Sequence, residues 1–180
     1  MHASGLFAPE LAAPAVEGLD YAPDFLSAAE EAALCAGIAA LALEEAPYKE
    51  YTARRRTASF GAELPGFLLP ARRKIAAWQA MPEASFRHAL VSEYRPGTPL
   101  GWHRDMPEFA AVCGLSLQGE ARMRFRRYPP RQGAQVLHLD LAPRSAYCLR
   151  GEARWGWQHS ISPTGGLRYS ITFRTLREAA

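Results

Sequence analysis

Long apolar runs are missing from this chain, and lysine is nearly so. No stretch reaches the roughly 18 apolar residues that a membrane-spanning helix needs, so no membrane partner is expected. The first residues, MHASGLFAPELAAPAVEG, lack the basic start and apolar centre of a secretory leader. Cysteine is scarce: Cys35, Cys113 and Cys148 stand far apart, are odd in number and form no CxxC pair. That pattern predicts separate, neutral, buried thiols in a reducing compartment, and the cytoplasm as the location. Repeats and low-complexity tracts are absent too. Charged residues are only 22% and hydrophobic ones 48%, which excludes a disordered chain and leaves enough for a core. Only two of the 21 basic residues are lysine; the other nineteen are arginine. Arginine is the better bidentate partner for carboxylate and phosphate. A net charge of +3 permits a nucleic-acid partner without demanding one.

What is present divides the chain in two. Residues 1–20 carry Ala, Pro and Gly without periodicity and read as a loose lead-in. The rest, 21–180, reads as one domain, with a helical part over 21–85 and a strand-rich part over 86–178. Ser27 with Glu30 three positions on forms a capping box at the head of a helix that Pro47 stops. A second helix is expected over 68–80, with Pro70 early in it. From residue 86 the texture changes to short, often alternating segments separated by RPGTP, YPPRQG and SPTGG. Such spacing indicates an antiparallel sandwich or barrel of seven or eight strands. The fold class is therefore α+β, with a jelly roll as its second part.

The segment GWHRDMPEF places His103 and Asp105 two positions apart. On a strand they share a face and can reach one ion. WGWQHSISP offers His159 as a third donor. Two His and one carboxylate from a jelly roll make the facial triad of non-haem Fe(II) oxygenases, which leaves metal positions open. The same three residues also fit a hydrogen-bonded His–Asp pair and an ordinary strand-end His. His2, His88 and His138 have no neighbour that makes them ligands.

The segment GGLRYSITFRTL changes the balance. Arg168, Ser170, Thr172 and Arg174 alternate with Leu167, Tyr169, Ile171 and Phe173, so the two sets face opposite sides of one strand. Arg168 and Arg174 lie about 20 Å apart on an ideal strand. Their long side chains can converge on the two ends of a five-carbon dicarboxylate, which suggests 2-oxoglutarate as cosubstrate.

On SEYRPGTPLGWHRD, QHSI and LRYSITFR, the chain resembles the AlkB-like 2-oxoglutarate- and Fe(II)-dependent dioxygenases. The resemblance is close over residues 90–176 and holds over 20–90 only by layout. It implies a double-stranded β-helix, the jelly roll, with N-terminal helices packed on it. It implies an enzyme that couples decarboxylation of 2-oxoglutarate by O2 to hydroxylation of a C–H bond, with loss of formaldehyde when that carbon is an N-methyl group. His103, Asp105 and His159 would bind Fe(II). Arg168 would hold the distal carboxylate of 2-oxoglutarate, and Arg174 would lie near the metal-chelating one. Tyr94 would hydrogen-bond the cosubstrate. Ser92 and Ser170 stand where the repair enzyme has Asn, and each keeps a hydroxyl.

The resemblance implies an alkylated base in nucleic acid as substrate, of the alkylation-damage repair type. The substrate-reading residues match it less well. Where the repair enzyme has an acidic residue two positions after the metal Asp, this chain has Pro107, followed by Glu108. Residues 47–66 occupy the place of a nucleotide-recognition lid, and there Tyr51, Arg54, Arg55 and Arg56 can stack on a base or bind phosphate. The same segment also reads as a solvated loop leading into a strand. Arg122, Arg124 and Arg126 share one strand face, as a phosphate stripe or as a solvated outer surface. Trp102 and Trp155 read as core residues, and Trp157 as core or as a wall of the pocket. Two rival readings stay open: the same chemistry on a protein side chain or small molecule, and a binding module that turns nothing over. No obligate protein partner is evident.

Overall fold

The computed structural model describes residues 16–48 and 51–177, and the side chains of these outside 46–54. A first short strand, β1 (Leu19–Ala22), begins just inside the stretch expected to be a loose lead-in, and Val16 before it is already buried. Helix α1 (Ala28–Ala39) starts at the capping box. The Ser27 N–H donates to Glu30 Oε2 at 2.7 Å, and the Glu30 N–H donates to Ser27 Oγ at 3.2 Å. Its inward face buries Leu34 and Ile38.

The helix stops well before Pro47, and this corrects the sequence expectation. Leu41 and Leu43 pack on the core past its end. Residues Glu44–Tyr48 then pair as β2 with β3 (Tyr51–Phe60). The ladder offered by β3 outweighs the helix propensity of an Ala- and Leu-rich segment. Helix α2 (Leu69–Trp78) has Pro70 in its first turn, where a missing N–H costs nothing.

Eight further strands follow, as the alternating segments predict. They are β4 (Phe86–Tyr94), β5 (Leu100–His103), β6 (Phe109–Leu117), β7 (Ala121–Arg127), β8 (Leu137–Leu141), β9 (Ala146–Leu149), β10 (Trp157–Ile161) and β11 (Arg168–Leu176). A short helix, α3 (Gly151–Trp155), sits between β9 and β10. The strands form two antiparallel sheets, ordered β1-β9-β6-β11-β4-β3-β2 and β5-β10-β7-β8.

Two apolar layers result. The helices pack on one face of the seven-stranded sheet through Leu34, Ile38, Leu68, Ile75, Val91, Leu115, Ile171 and Phe173. The other face meets the four-stranded sheet through Met123, Phe125, Leu139, Leu141, Tyr147 and Ile161. Strand β11 lies at the centre of the larger sheet between β6 and β4. Its alternation therefore sends Tyr169, Ile171 and Phe173 toward the helices and Arg168, Ser170, Thr172 and Arg174 toward the smaller sheet.

The cysteines depart from expectation. Cys113 on β6 and Cys148 on β9 are direct cross-strand partners in the helix-covered layer, with Cα atoms 4.0 Å apart, and they are joined as a disulfide. Two of the three thiols are thus not separate, because sheet register brings together residues far apart in sequence. Cys35 stays free and half-buried.

Candidate active site

Four strands of the larger sheet supply one wall of a polar cleft between the sheets. Register aligns their side chains in rows. Arg55 on β3, Tyr94 on β4 and Arg168 on β11 form one row. Thr57, Ser92, Ser170 and Ser116, from β3, β4, β11 and β6, form the next. His88 and Arg174 are partners at the far end. The smaller sheet faces this wall with His103 and His159, which are partners across β5 and β10.

Asp105 completes the cluster from just beyond β5. The sequence places the HRD segment in or beside a strand, and the strand ends at His103, two residues before Asp105. The loop is held by Arg154 of α3, which is 3% exposed. Its Nη2 donates to the carbonyl oxygens of Asp105 at 3.0 Å and Met106 at 2.6 Å, and its Nε to that of Phe109 at 3.1 Å. One buried guanidinium thereby sets the position of the carboxylate. Sequence reading missed Arg154, because nothing in EARWGW links it to HRD until the chain folds.

Donor atoms of His103, Asp105 and His159 all lie within 4.8 Å of one another, and His159 Nε2 stands 3.6 Å from Asp105 Oδ2. His103 Nδ1 donates to the Gly101 carbonyl at 2.8 Å, which leaves Nε2 as a lone-pair donor. Burial, with His103 beside it, pushes the His159 imidazole down to about 3. Burial also lowers His103. At Asp105 burial pushes up, but His159, Arg174, His103 and Arg154 together outweigh it and hold the carboxyl below its ordinary range. Two neutral imidazoles and one carboxylate are the donor set a divalent iron takes. Asp105 Oδ2 is buried with no hydrogen-bond partner, as a ligand atom would be.

Two guanidiniums flank this cluster. Arg174 Nη2 donates to Asp105 Oδ1 at 3.2 Å, and Arg174 Nη1 donates to His88 Nδ1 at 3.2 Å. That contact requires an unprotonated Nδ1, so the His88 proton sits on Nε2, 3.0 Å from Ser59 Oγ. Burial and then Arg174 keep the His88 pKa below normal. Sequence reading gave His88 no role; the register of β4 on β11 places it behind Arg174. Arg168 is 1% exposed, donates from Nε to Ser116 Oγ at 2.9 Å and stacks 4.9 Å from the centre of the Tyr94 ring. Arg168 Nη1 and Arg174 Nε are buried without partners. Two buried guanidiniums with unfilled donors in one cleft suit a ligand with two carboxylates. Tyr147, also missed, lines the cleft beside them. It crosses over Gly114, where a Cβ would run into the ring. Burial, then Asp105, raises its phenol so that it stays a donor.

The residues expected to read the substrate scatter. Among those whose side chains are described, Arg55 alone lines the cleft, and its Nε is buried and unpartnered. Arg56 points to the opposite, helix-covered side of β3 and forms a bidentate pair with Glu93 at 2.8 Å, so it is not available for phosphate. Trp157 is 7% exposed within the inter-sheet core and does not line the cleft. Trp102 points to the outer face of the smaller sheet, against Arg124 and Arg126. Glu108 is exposed outside the cleft lining. The side chains of Tyr51 and Arg54 lie outside the described residues.

A sandwich of this topology with a His–Asp–His cluster between its sheets defines the double-stranded β-helix of metal-dependent oxygenases. The model of the 2OG-Fe(II) oxygenase superfamily matches residues 39–174, and the chain belongs to that family. The family's cofactors are Fe(II) and 2-oxoglutarate, and the chain has AlkB-like relatives. It is 31% identical over 182 residues to the alkylated DNA repair protein ALKBH8 homolog of Arabidopsis thaliana, covering 81% of this chain and 51% of that protein. It is 31% identical over 100 residues to the uncharacterized protein L905 of Acanthamoeba polyphaga mimivirus, covering 48% of this chain and 47% of that protein. The chain thus spans about half the length of the curated relatives it matches. Among solved structures, OsALKBH1 superposes with a TM-score of 0.66 at 15% identity, over 88% of this chain and 98% of that one. A Pseudomonas putida prolyl-4-hydroxylase superposes with a TM-score of 0.65 at 14% identity, over 89% and 93%. At those identities the two structures speak for the fold.

Proposed function

We propose that this chain oxidatively demethylates alkylated bases in nucleic acid, with residues 21–180 as the catalytic unit. In this reading His103, Asp105 and His159 hold Fe(II). Arg168 binds the distal carboxylate of 2-oxoglutarate through Nη1, and Arg174 orients the carboxylate nearer the metal. Tyr94 supports the Arg168 guanidinium from its ring face, and Ser92 and Ser170 offer hydroxyls along the cosubstrate. The iron, when bound, supplies the oxidation by O2 that hydroxylates a C–H bond. The chain's own part is to orient these groups and exclude water. Hydroxylation of an N-methyl carbon leaves a carbinolamine, which breaks to formaldehyde and a free base nitrogen.

The observation that carries the substrate class is Arg55. It is a cation at the cleft that neither the iron triad nor the two cosubstrate carboxylates require, and its Nε is unfilled. A phosphate flanking a base is a fitting partner. The name of the Arabidopsis relative, an alkylated DNA repair protein homolog, supports the same class. A second reading, oxidation of a protein side chain, is favoured by Pro107 at the position expected to be acidic and by the fold shared with a prolyl hydroxylase. The deciding experiment is a formaldehyde-release screen over N-methylated oligonucleotides and N-methylated peptides, with succinate measured in parallel. Formaldehyde from oligonucleotides is expected. Succinate without formaldehyde from any oligonucleotide would discard the nucleic-acid substrate, and no succinate under any condition would discard the enzyme.

A further inference from the structure

The outer face of the smaller sheet carries a feature that the cleft does not explain. Alternation sends His159, Phe125 and Met123 inward, and sends Gln158, Ser160, Arg124 and Arg126 outward. Trp102, next to His103 on the edge strand β5, joins the outward set. Strand β7 carries four arginines, and their fates differ. Arg122 is paired with Asp140 at 2.7 Å and Arg127 with Glu152. Arg124 and Arg126, between them, have no carboxylate partner among the described residues. Their Nε atoms donate to Ser160 Oγ at 3.0 Å and Gln158 Oε1 at 2.9 Å. Their guanidiniums lie 5.0 and 4.4 Å from the centre of the Trp102 ring. Those contacts orient both cations and leave their Nη edges without protein acceptors among the described residues.

The feature continues past the strand ends. Arg104, on the other side of His103, stacks 3.7 Å over the Tyr128 ring, and Tyr128 is 43% exposed. Arg104 likewise has no carboxylate partner among the described residues. Tyr128 also borders a surface hollow of about 480 Å³ that includes Arg131. Cations oriented on aromatic faces thus begin one residue on either side of a cleft histidine and run outward from it.

We propose that this face binds a single strand of nucleic acid running to or from the cleft. The inference rests on the nucleic-acid reading above. Guanidiniums with open Nη edges take phosphates, and the exposed Tyr128 ring and the uncovered part of the half-buried Trp102 ring take the faces of unstacked bases. A duplex hides its base faces, and an acidic peptide makes no use of the rings. The surface is on the outer face of the smaller sheet and assigns binding to residues outside the expected lid.

The test is fluorescence anisotropy of a labelled, unmethylated single-stranded oligodeoxynucleotide with the full chain across a salt series. Arg124→Gln/Arg126→Gln is expected to weaken binding about tenfold or more and to flatten the log–log salt slope by about 1.4, the loss of two phosphate contacts. Arg73→Gln/Arg87→Gln removes the same charge from exposed sites elsewhere and is expected to change affinity by less than about threefold. Arg124→Lys/Arg126→Lys, which keeps charge but loses the planar stack, should retain the slope and recover part of the affinity. Unfolding midpoints within a few degrees of the parent, on the order of 2 °C, verify that each variant is folded. Equal binding by the parent and Arg124→Gln/Arg126→Gln would overturn the surface while leaving the substrate reading intact. No strand binding by the parent, together with no formaldehyde from methylated oligonucleotides, would overturn both. Tighter binding of a polyglutamate peptide than of the strand, lost in the same variant, would overturn nucleic acid as the occupant.

Discussion

On strand β11 Tyr169, Ile171 and Phe173 face the helices, while Arg168, Ser170, Thr172 and Arg174 face the second sheet. The helix side is nearly saturated, with Gln79 Oε1 at the end of α2 its one unpartnered buried side-chain atom among the described residues. Its core side chains are apolar, Cys113 and Cys148 are joined, and its buried Glu93 is fully paired with Arg56. The cleft side is not. Of eight buried side-chain polar atoms without a partner among the described residues, four belong to cleft residues: Arg55, Asp105, Arg168 and Arg174. Leaving such groups unfilled costs stability. One face of a sheet thus supplies stability, and the other spends some of it on a site that a ligand completes.

That contrast is most sharply broken by exchanging the consequences of mutation on the two faces. Asp105→Asn should abolish the visible charge-transfer band of anaerobic Fe(II) with 2-oxoglutarate, and all turnover. It should leave the metal-free unfolding midpoint within about 2 °C of the parent. Phe173→Ala, from the opposite face, should cost about 3–5 kcal/mol in denaturant unfolding. An Asp105→Asn protein that keeps its band is not missing a ligand.

Arg168→Leu comes next. Loss of a charge-assisted hydrogen bond is worth about 1.5–3 kcal/mol, or roughly a 10- to 150-fold rise in the 2-oxoglutarate requirement. Arg177→Leu, beyond the strand, should leave it unchanged. Equal effects at both would point to general electrostatics rather than a shaped carboxylate site.

Arg154→Met probes a residue that touches neither iron nor cosubstrate. Freed from its three carbonyl contacts, the Asp105 loop should loosen, and Fe(II) affinity should fall by roughly 10- to 100-fold. Titration of the charge-transfer band measures this, and Arg154→Lys should recover part of it. A stability loss with unaltered iron affinity would reduce Arg154 to a packing role.

The smallest effect concerns pH on the helix-covered face. The Arg56 hydrogen bonds hold the Glu93 carboxyl below its ordinary range against the push of burial. A carboxyl depressed in the folded state adds stability above its unfolded pKa and loses that contribution as pH falls through the folded one. Urea midpoints should therefore drop from pH 6 toward pH 3 in the parent, and drop less in Glu93→Gln. That variant should be about 1–2 kcal/mol less stable at pH 7, because Arg56 remains partly in solvent. Parallel pH curves would remove Glu93 from the acid limb.

Much of this architecture was legible in the chain. The capping box at Ser27, the strand texture after residue 86 and the alternation in LRYSITFR each depend on neighbours in sequence. So does the sharing of a face by Arg168 and Arg174. The extent of the first helix was not legible, because β3, a later segment, decides it. Arg56 was misread for the same kind of reason. In RRR only register shows that Arg55 enters the cleft while Arg56 turns to Glu93 on β4.

The sequence by itself determined the period of each strand, and through it which residues travel together: His103 opposite Trp102, and Arg168 with Ser170 and Arg174. Alternation is a property of the extended backbone and needs no partner. Tertiary structure alone decided which groups meet across strands and layers. It set Arg154 under the Asp105 loop, His88 behind Arg174, Tyr147 over Gly114 and Cys113 against Cys148. Those contacts join residues far apart in the chain, and only the packing of two sheets and three helices specifies them.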